Sequence, residues 1–476
     1  VTGEERFLHI MERYIKWFMD RIGPNKNQLH IYPGHPELEL ALYKLYQYTG
    51  NNQYLEFMKY ILMERGKQPS FLLKDTGYGE QYHDKWFALE YHQAHKPILE
   101  QTEAVGHAVR AMYLYSGMAD LAKTLDDETL FKTLKVLWAD VTTKKMYITG
   151  AIGSDEHGEG FSIAYDLPND RAYAETCASI GLFMWARRML KLELNSDYAD
   201  VMELALYNGI SSGMSEDGKQ YFYVNPLEVN PAKVHQRYDL KHVRSSRVTW
   251  FGCACCPPNV ARILTSLEKY SYDISDDSNS IAIHLYLCGQ IIMSDDSVWN
   301  ITGKYLTDGK IEITYSGEEK DFTLRLRNPG WSTACEIRIN GLRIKAESEQ
   351  GYFYILRKWK NGDTVQLKFG ITAQLVYANT YVEDDAGKVA VMRGPVVFCL
   401  EEADNGKNLS ELMIGTIESH CENSVILNGY REHTMDSIAL YSTNPPSIEE
   451  TTIKAIPYSH WGNTGEGEMK VWVRKV

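Results

Sequence analysis

Residues 281–287, Ile281-Ala282-Ile283-His284-Leu285-Tyr286-Leu287, decide the fold, because apolar side chains here begin to recur every second position after a long stretch at helical spacing. The same two-residue rhythm returns in 310–315, 322–327, 336–339 and 364–368, with turn signals such as Asn340-Gly341 and Asn361-Gly362 between runs. Residues 469–473 read as a returning strand. Residues 275–476 are therefore expected to form one or two β-sandwich modules.

Upstream of this change the spacing is helical. Phe7, Ile10, Met11, Tyr14, Ile15 and Phe18 follow a capping segment, Leu38 to Tyr46 follow Pro36, and Tyr54 to Leu62 follow Asn51-Asn52. Further helices are expected over about 97–123, 127–142, 172–194, 197–214 and 257–272. Tyr48 to Asn52, Lys123 to Asp127 and Leu194 to Asp197 each close one helix and cap the next within a few polar residues. Repeated hairpins that cannot bury their apolar faces alone point to an α/α barrel over residues 1–274. About eight helices are legible, where six closed hairpins need twelve. The expected class is thus α+β and multidomain, a helical barrel followed by β-sandwiches.

The net charge of −13, without a cluster of Lys and Arg, argues against a nucleic-acid or anionic-membrane surface and favours neutral or small ligands. Thirty-two Tyr and ten Trp suit carbohydrate faces, although most must fill core. No run of about 18 apolar residues offers a membrane span, and the N-terminal helix does not read as a signal peptide. Four of the eight cysteines, Cys288, Cys335, Cys399 and Cys421, are scattered singly, which fits a reducing, cytoplasmic setting better than a disulfide framework. The chain begins at Val1 without an initiator Met, so its natural N-terminus is left open.

The other four cysteines carry the chemistry. Cys253-Ala254-Cys255-Cys256-Pro257-Pro258 and Glu175-Thr176-Cys177 together offer up to five ligands, and a zinc ion needs four in a tetrahedron. A cation would hold such thiols deprotonated, and a helix starting at Pro257 would add its positive end. Buried, inert thiols are the alternative. Glu175 and Cys177 stand two apart, so either a helix begins there or only one of them is a ligand. The Gly-rich segment 149–166 carries Asp155, Glu156, His157 and Glu159, acids of the kind that protonate a departing sugar oxygen, or else a solvated loop. His35, His92, His95, His107 and Tyr223 lie in the helical half, where packing roles compete with functional ones.

Gly34 to Leu40, Thr102 to Arg110, Gly153 to Glu159, Leu167 to Cys177 and Cys253 to Asn259 together resemble glycoside hydrolase family 127, the β-L-arabinofuranosidase family. The resemblance runs through most of the chain and implies an (α/α)6 barrel, entered here after its first helices, followed by β-sandwich domains. It implies zinc held by Glu175, Cys177, Cys255 and Cys256, with Cys255 as nucleophile, Glu159 as general acid and then general base, and Cys253 outside the site. His35, His107 and Tyr223 would line the sugar pocket. The expected activity is a retaining exo-glycosidase releasing terminal β-L-arabinofuranose from an arabinose-containing oligosaccharide or glycoconjugate. Another furanoside, or a carbohydrate-binding protein with a structural zinc, are the rival readings. The sugar's aglycone, the metal in the cell and the oligomeric state, a homo-oligomer included, stay open.

Overall fold

The computed structural model describes residues 4–73, 89–253, 255–433 and 440–476. The chain divides into two compact units, residues 1–146 with 152–164, and residues 147–151 with 165–476.

The first unit is helical: α1 (Arg6–Met19), α2 (Glu37–Thr49), α3 (Asn52–Glu64), α4 (Ala108–Leu125) and α5 (Glu128–Asp140). Its hairpins close as the polar linkers predict. Gly50 ends α2 in the left-handed region, and the Asn51 side chain accepts the Gln53 N–H at 3.0 Å to open α3. Asp126 ends α4 at φ 54°, and the Asp127 carboxylate accepts the Thr129 and Leu130 N–H groups at 2.9 and 3.1 Å. α4 is buried almost all round. It starts eleven residues later than the apolar spacing suggests, because Gly106 at φ 70° lies against the Glu90 carbonyl and breaks the helix. A Cβ on Gly106 would stand 1.9 Å from that oxygen.

The second unit holds α6 (Thr176–Leu192), α7 (Ser196–Ala205), α8 (Cys256–Leu264) and both sheet modules. α7 passes into a π-turn at Leu206–Ile210 and a 3-10 turn at Ser211–Gly213, so the helical run ends close to the expected 214. There Asn208 turns its amide outward, donating to Pro395 O at 2.9 Å and accepting from Val397 N at 2.8 Å. α8 stops at Leu264, short of the expected 272.

Residues 272–369 form a sandwich of a six-stranded and a five-stranded sheet. Trp299, Tyr315, Phe322, Leu324, Trp359 and Leu367 are buried together in its core. Two ion-pair networks tie helices to it. Arg187 of α6 reaches the Asp273 carboxylate, which also accepts from His284, whose other ring nitrogen meets Tyr352 Oη at 2.7 Å. Arg327, fully buried, binds Asp200 at 2.7 Å and Glu203 at 2.5 Å on α7.

The C-terminal module departs from the expected sandwich. Strand Lys388–Arg393 pairs with both Val473–Lys475 and Val396–Glu401, and the pairings continue through Leu412–His420, Val425–His433 and Ser447–Pro457 until six strands close into a barrel. Val389, Phe398, Leu412, Ile414, Leu427 and Ile453 fill it. Period-two alternation is the same in a sandwich and a barrel, so the sequence pattern could not distinguish them. Two register shifts between the 412–420 and 425–433 strands supply local bending.

Candidate active site and metal centre

Within the second unit, Glu175 is the residue before α6 and is extended at φ −61°, ψ 136°, while Cys177 sits in the first helical turn. This resolves the two-residue spacing: with the helix starting between them, both side chains serve one centre. The entry to α6 is pinned by hydrogen bonds from Thr176 N to Tyr223 O at 2.9 Å and from Thr176 Oγ1 to Phe222 O at 3.0 Å. Asn225 Nδ2 adds bonds to Ala174 O and Thr176 Oγ1, both at 3.0 Å. Ala174 is held at φ 42°, a left-handed value unusual for an L-residue. The same bonds fix the segment that carries Tyr223.

The other thiols come from the start of α8, where Cys255 is the cap residue and Pro257-Pro258 follow Cys256. Cys177 Sγ lies 3.4 Å from Cys256 Sγ, and Cys255 Sγ 3.9 Å from Cys256 Sγ. Glu175 Oε1 is 3.5 Å from Cys255 Sγ and 3.6 Å from Cys256 Sγ. All four donors fall within 4.8 Å of one another. A tetrahedral zinc with its usual Zn–S and Zn–O bond lengths needs S···S edges of roughly 3.8 Å and S···O edges of roughly 3.5 Å. The donor set therefore fits such an ion in both chemistry and spacing.

Glu175, Cys177 and Cys256 are buried, whereas Cys255 is half-buried and faces Tyr223 Oη at 3.2 Å. Hydrogen bonding from Cys177 and then Cys256, with help from Tyr223 and Glu175, draws the Cys255 thiol far below its usual range against the cost of burial. Cys177 is pushed up chiefly by its bond to Cys255, and Cys256 chiefly by burial. Cys253 is exposed and stands outside the quartet.

Within the first unit, the Gly-rich loop is closed by paired backbone bonds between Asp155 and Gly160 at 3.1 and 3.0 Å. Gly160–Phe161 then pairs antiparallel with Gly106–His107. Glu159, left-handed at φ 53°, gives its carbonyl to Ala108 N at 3.0 Å and brings Oε2 to 3.3 Å from His107 Nε2. Its loop neighbours Glu156 and His157 are exposed. His107 caps α4, its Nδ1 accepting the Val109 N–H at 3.2 Å. An Nδ1 that accepts carries no proton, so Nε2 does, and Nε2 is the nitrogen 3.3 Å from Glu159 Oε2.

His35 lies on the turn before α2, half-buried, with its ring 5.4 Å from that of Tyr113. Beside it, Arg110 donates to Gly34 O at 3.0 Å and His92 Nδ1 at 2.9 Å, and covers the Tyr91 ring at 4.6 Å. Burial, then the Arg110 charge, lowers His92 to about 4, so it is a neutral acceptor here. Tyr91 in turn meets the His107 ring edge-on at 5.4 Å. Sequence reasoning left His92 without a role and missed Gln93 and Arg110. What reveals them is the left-handed turn at Gln93, φ 53°, which no residue type announced.

Three comparisons bear on this arrangement. The description of the β-L-arabinofuranosidase GH127 catalytic domain matches residues 1–269, that of the GH127 middle domain 280–371, and that of the family 127 C-terminal domain 373–474. The non-reducing end β-L-arabinofuranosidase of Bifidobacterium longum subsp. longum is 38% identical, over the whole of this chain and 76% of its own length. The crystal structure of a GH127 β-L-arabinofuranosidase from Geobacillus stearothermophilus T6 superimposes with a TM-score of 0.93 at 44% identity, covering 100% of this chain and 77% of that one. A GH127 β-arabinofuranosidase structure gives 0.87 at 34% identity, covering 100% and 74%. With all three domain descriptions matched in order and relatives well above 30% identity, the chain belongs to glycoside hydrolase family 127 and is a glycoside hydrolase of the β-L-arabinofuranosidase type.

Proposed function

We propose that this chain is a retaining exo-glycosidase that releases terminal β-L-arabinofuranose from an arabinose-containing oligosaccharide or glycoconjugate. The observation that carries the reading is the quartet of Glu175 and three cysteine sulfurs at tetrahedral spacing, one of them half-open, within the range matched by the family's catalytic domain. Residues 1–274 would be that domain, an (α/α)6 barrel, and residues 275–476 the accessory sheet modules. Free thiols at every cysteine support a reducing, cytoplasmic setting.

Zinc, held by Glu175, Cys177, Cys255 and Cys256, would keep the thiols ionised and fix the direction of Cys255 Sγ. The Cys255 thiolate attacks the anomeric carbon, forming a C–S bond as the glycosidic C–O bond breaks, and Glu159 passes its proton to the departing oxygen. Water then gives a proton to Glu159 and attacks the same carbon, breaking the C–S bond and returning the Cys255 thiolate. Two displacements retain the anomeric configuration. His107 Nε2, 3.3 Å from Glu159 Oε2, would steady that carboxylate, and His35, His107 and Tyr223 would hold the sugar.

Hydrolysis of p-nitrophenyl β-L-arabinofuranoside, with metal content measured on the same sample, tests the reading. Turnover with about one zinc per chain is expected. Zinc with sugar binding but no turnover would turn the assignment into a binding protein with a structural metal, and preferred cleavage of another furanoside would replace the sugar.

A further inference from the structure

We infer that Gln93 is a positioning residue for proton transfer by Glu159, acting through His107. The inference rests on the assignment of Glu159 as acid and base. Gln93 is fully buried on a left-handed turn, and its side-chain amide donates to three carbonyls: Tyr91 O at 3.1 Å, Val105 O at 3.0 Å and His107 O at 3.2 Å. The orientation of the amide is dictated, since exchanging its oxygen and nitrogen would set an oxygen against three carbonyl oxygens.

The turn itself is clamped. Gln101 Nε2 donates to Gln93 O at 2.9 Å and to Lys96 O at 3.0 Å, and Gln93 N reaches Glu90 O at 2.9 Å. Gly106 presses directly on Glu90 O, with no space for a Cβ between them. The His107 N–H bonds to Tyr91 O at 3.4 Å, so both backbone polar groups of His107 end on residues 91–93.

With its backbone so held, the imidazole has each nitrogen placed, Nδ1 accepting the Val109 N–H and Nε2 3.3 Å from Glu159 Oε2. The backbone clamp and the helix cap together select one tautomer of His107. That tautomer puts a proton on the ring nitrogen that stands beside the Glu159 carboxylate, the group that hands its proton to the leaving oxygen. Loss of the Gln93 amide takes a donor from three carbonyls, frees the His107 peptide to rotate, and loosens the imidazole that stands 3.3 Å from the Glu159 carboxylate.

The test compares wild type and Gln93→Met on p-nitrophenyl and methyl β-L-arabinofuranosides. A poor leaving group depends on the general acid and a good one hardly does, so kcat on the methyl glycoside should fall at least about tenfold more than on the nitrophenyl glycoside. The alkaline limb of the pH profile should move in the same variant. An equal fall on both substrates would mean that Gln93 merely supports the fold, and no fall on either would dismiss it. Independently of turnover, ¹⁵N NMR of histidine-labelled wild-type chain should show His107 protonated at Nε2 and bare at Nδ1. The opposite tautomer would overturn the inference even if the variant fails to fold. Absence of arabinofuranoside hydrolysis by wild type would instead strike the proposed function, leaving the NMR result to judge the clamp.

Discussion

The thiol centre and the Glu159–His107 pair are built by opposite means. Glu175, Cys177, Cys255 and Cys256 sit at the starts of α6 and α8, where helix geometry and buried packing preset four donor positions. Glu159 sits on a glycine-rich loop, about one third exposed, held by a two-residue ladder and one imidazole. A cation site needs fixed separations between like charges, and rigid helix starts supply them. A group that must take and return a proton needs solvent on one side, and a loop supplies that.

The largest effect expected is on the thiol side. Cys255→Ser should lower turnover by about 10⁴-fold or more, and Cys177→Ser should empty the metal site, both read by steady-state assay with elemental analysis. Near-normal turnover in Cys255→Ser would remove the nucleophile from the preset centre and end the contrast. Next comes Glu159→Gln, for which a loss of about 10²–10⁴-fold on a poor leaving group is expected with the melting temperature almost unchanged. A large drop in melting temperature instead would make the loop as structural as the helices.

A third experiment sharpens the comparison through the support of α6. Burial lowers His284 to about 4 while it accepts from Tyr352 and donates to Asp273, the partner of Arg187 on α6. A histidine whose folded value lies below its unfolded 6.5 binds more protons when unfolded, so its contribution is complete above pH 6.5 and is lost as pH falls toward 4. The full difference is worth about 3 kcal/mol. Asp200 and Asp385, raised to about 6 by burial, work oppositely in the same window, because the folded state then holds the extra proton. The difference between wild type and His284→Gln isolates the histidine: urea midpoints should converge as pH drops from 6.5 to 4. Parallel curves would assign α6's anchorage to other contacts. The smallest effect is Ala174→Gly, which relieves a left-handed φ beside Glu175 and should leave stability within about 1 kcal/mol of wild type.

Helix type and hairpin chemistry were legible because Asn51, Asp127 and Asn195 cap the next helix with their own side chains, an effect local to three residues. The thiol centre was legible for a related reason: ligand chemistry restricts residue types, so Glu175-Thr176-Cys177 and Cys255-Cys256 stand out against composition. Two things were not. The start of α4 depends on Gly106 meeting Glu90, and the barrel closure depends on residue 388 meeting residue 474, contacts that no local window contains. Gln93 was missed because a buried amide serving three carbonyls looks, in one dimension, like any polar residue.

The closed barrel also sets an order of events during synthesis. Its ring is completed by Val473–Lys475, which lies parallel to the 412–420 strand on one side and antiparallel to Lys388–Arg393 on the other. Until that strand has left the ribosome, two strand edges stay open and able to recruit another chain, so chaperone cover over the nascent module matters most in the interval before it emerges.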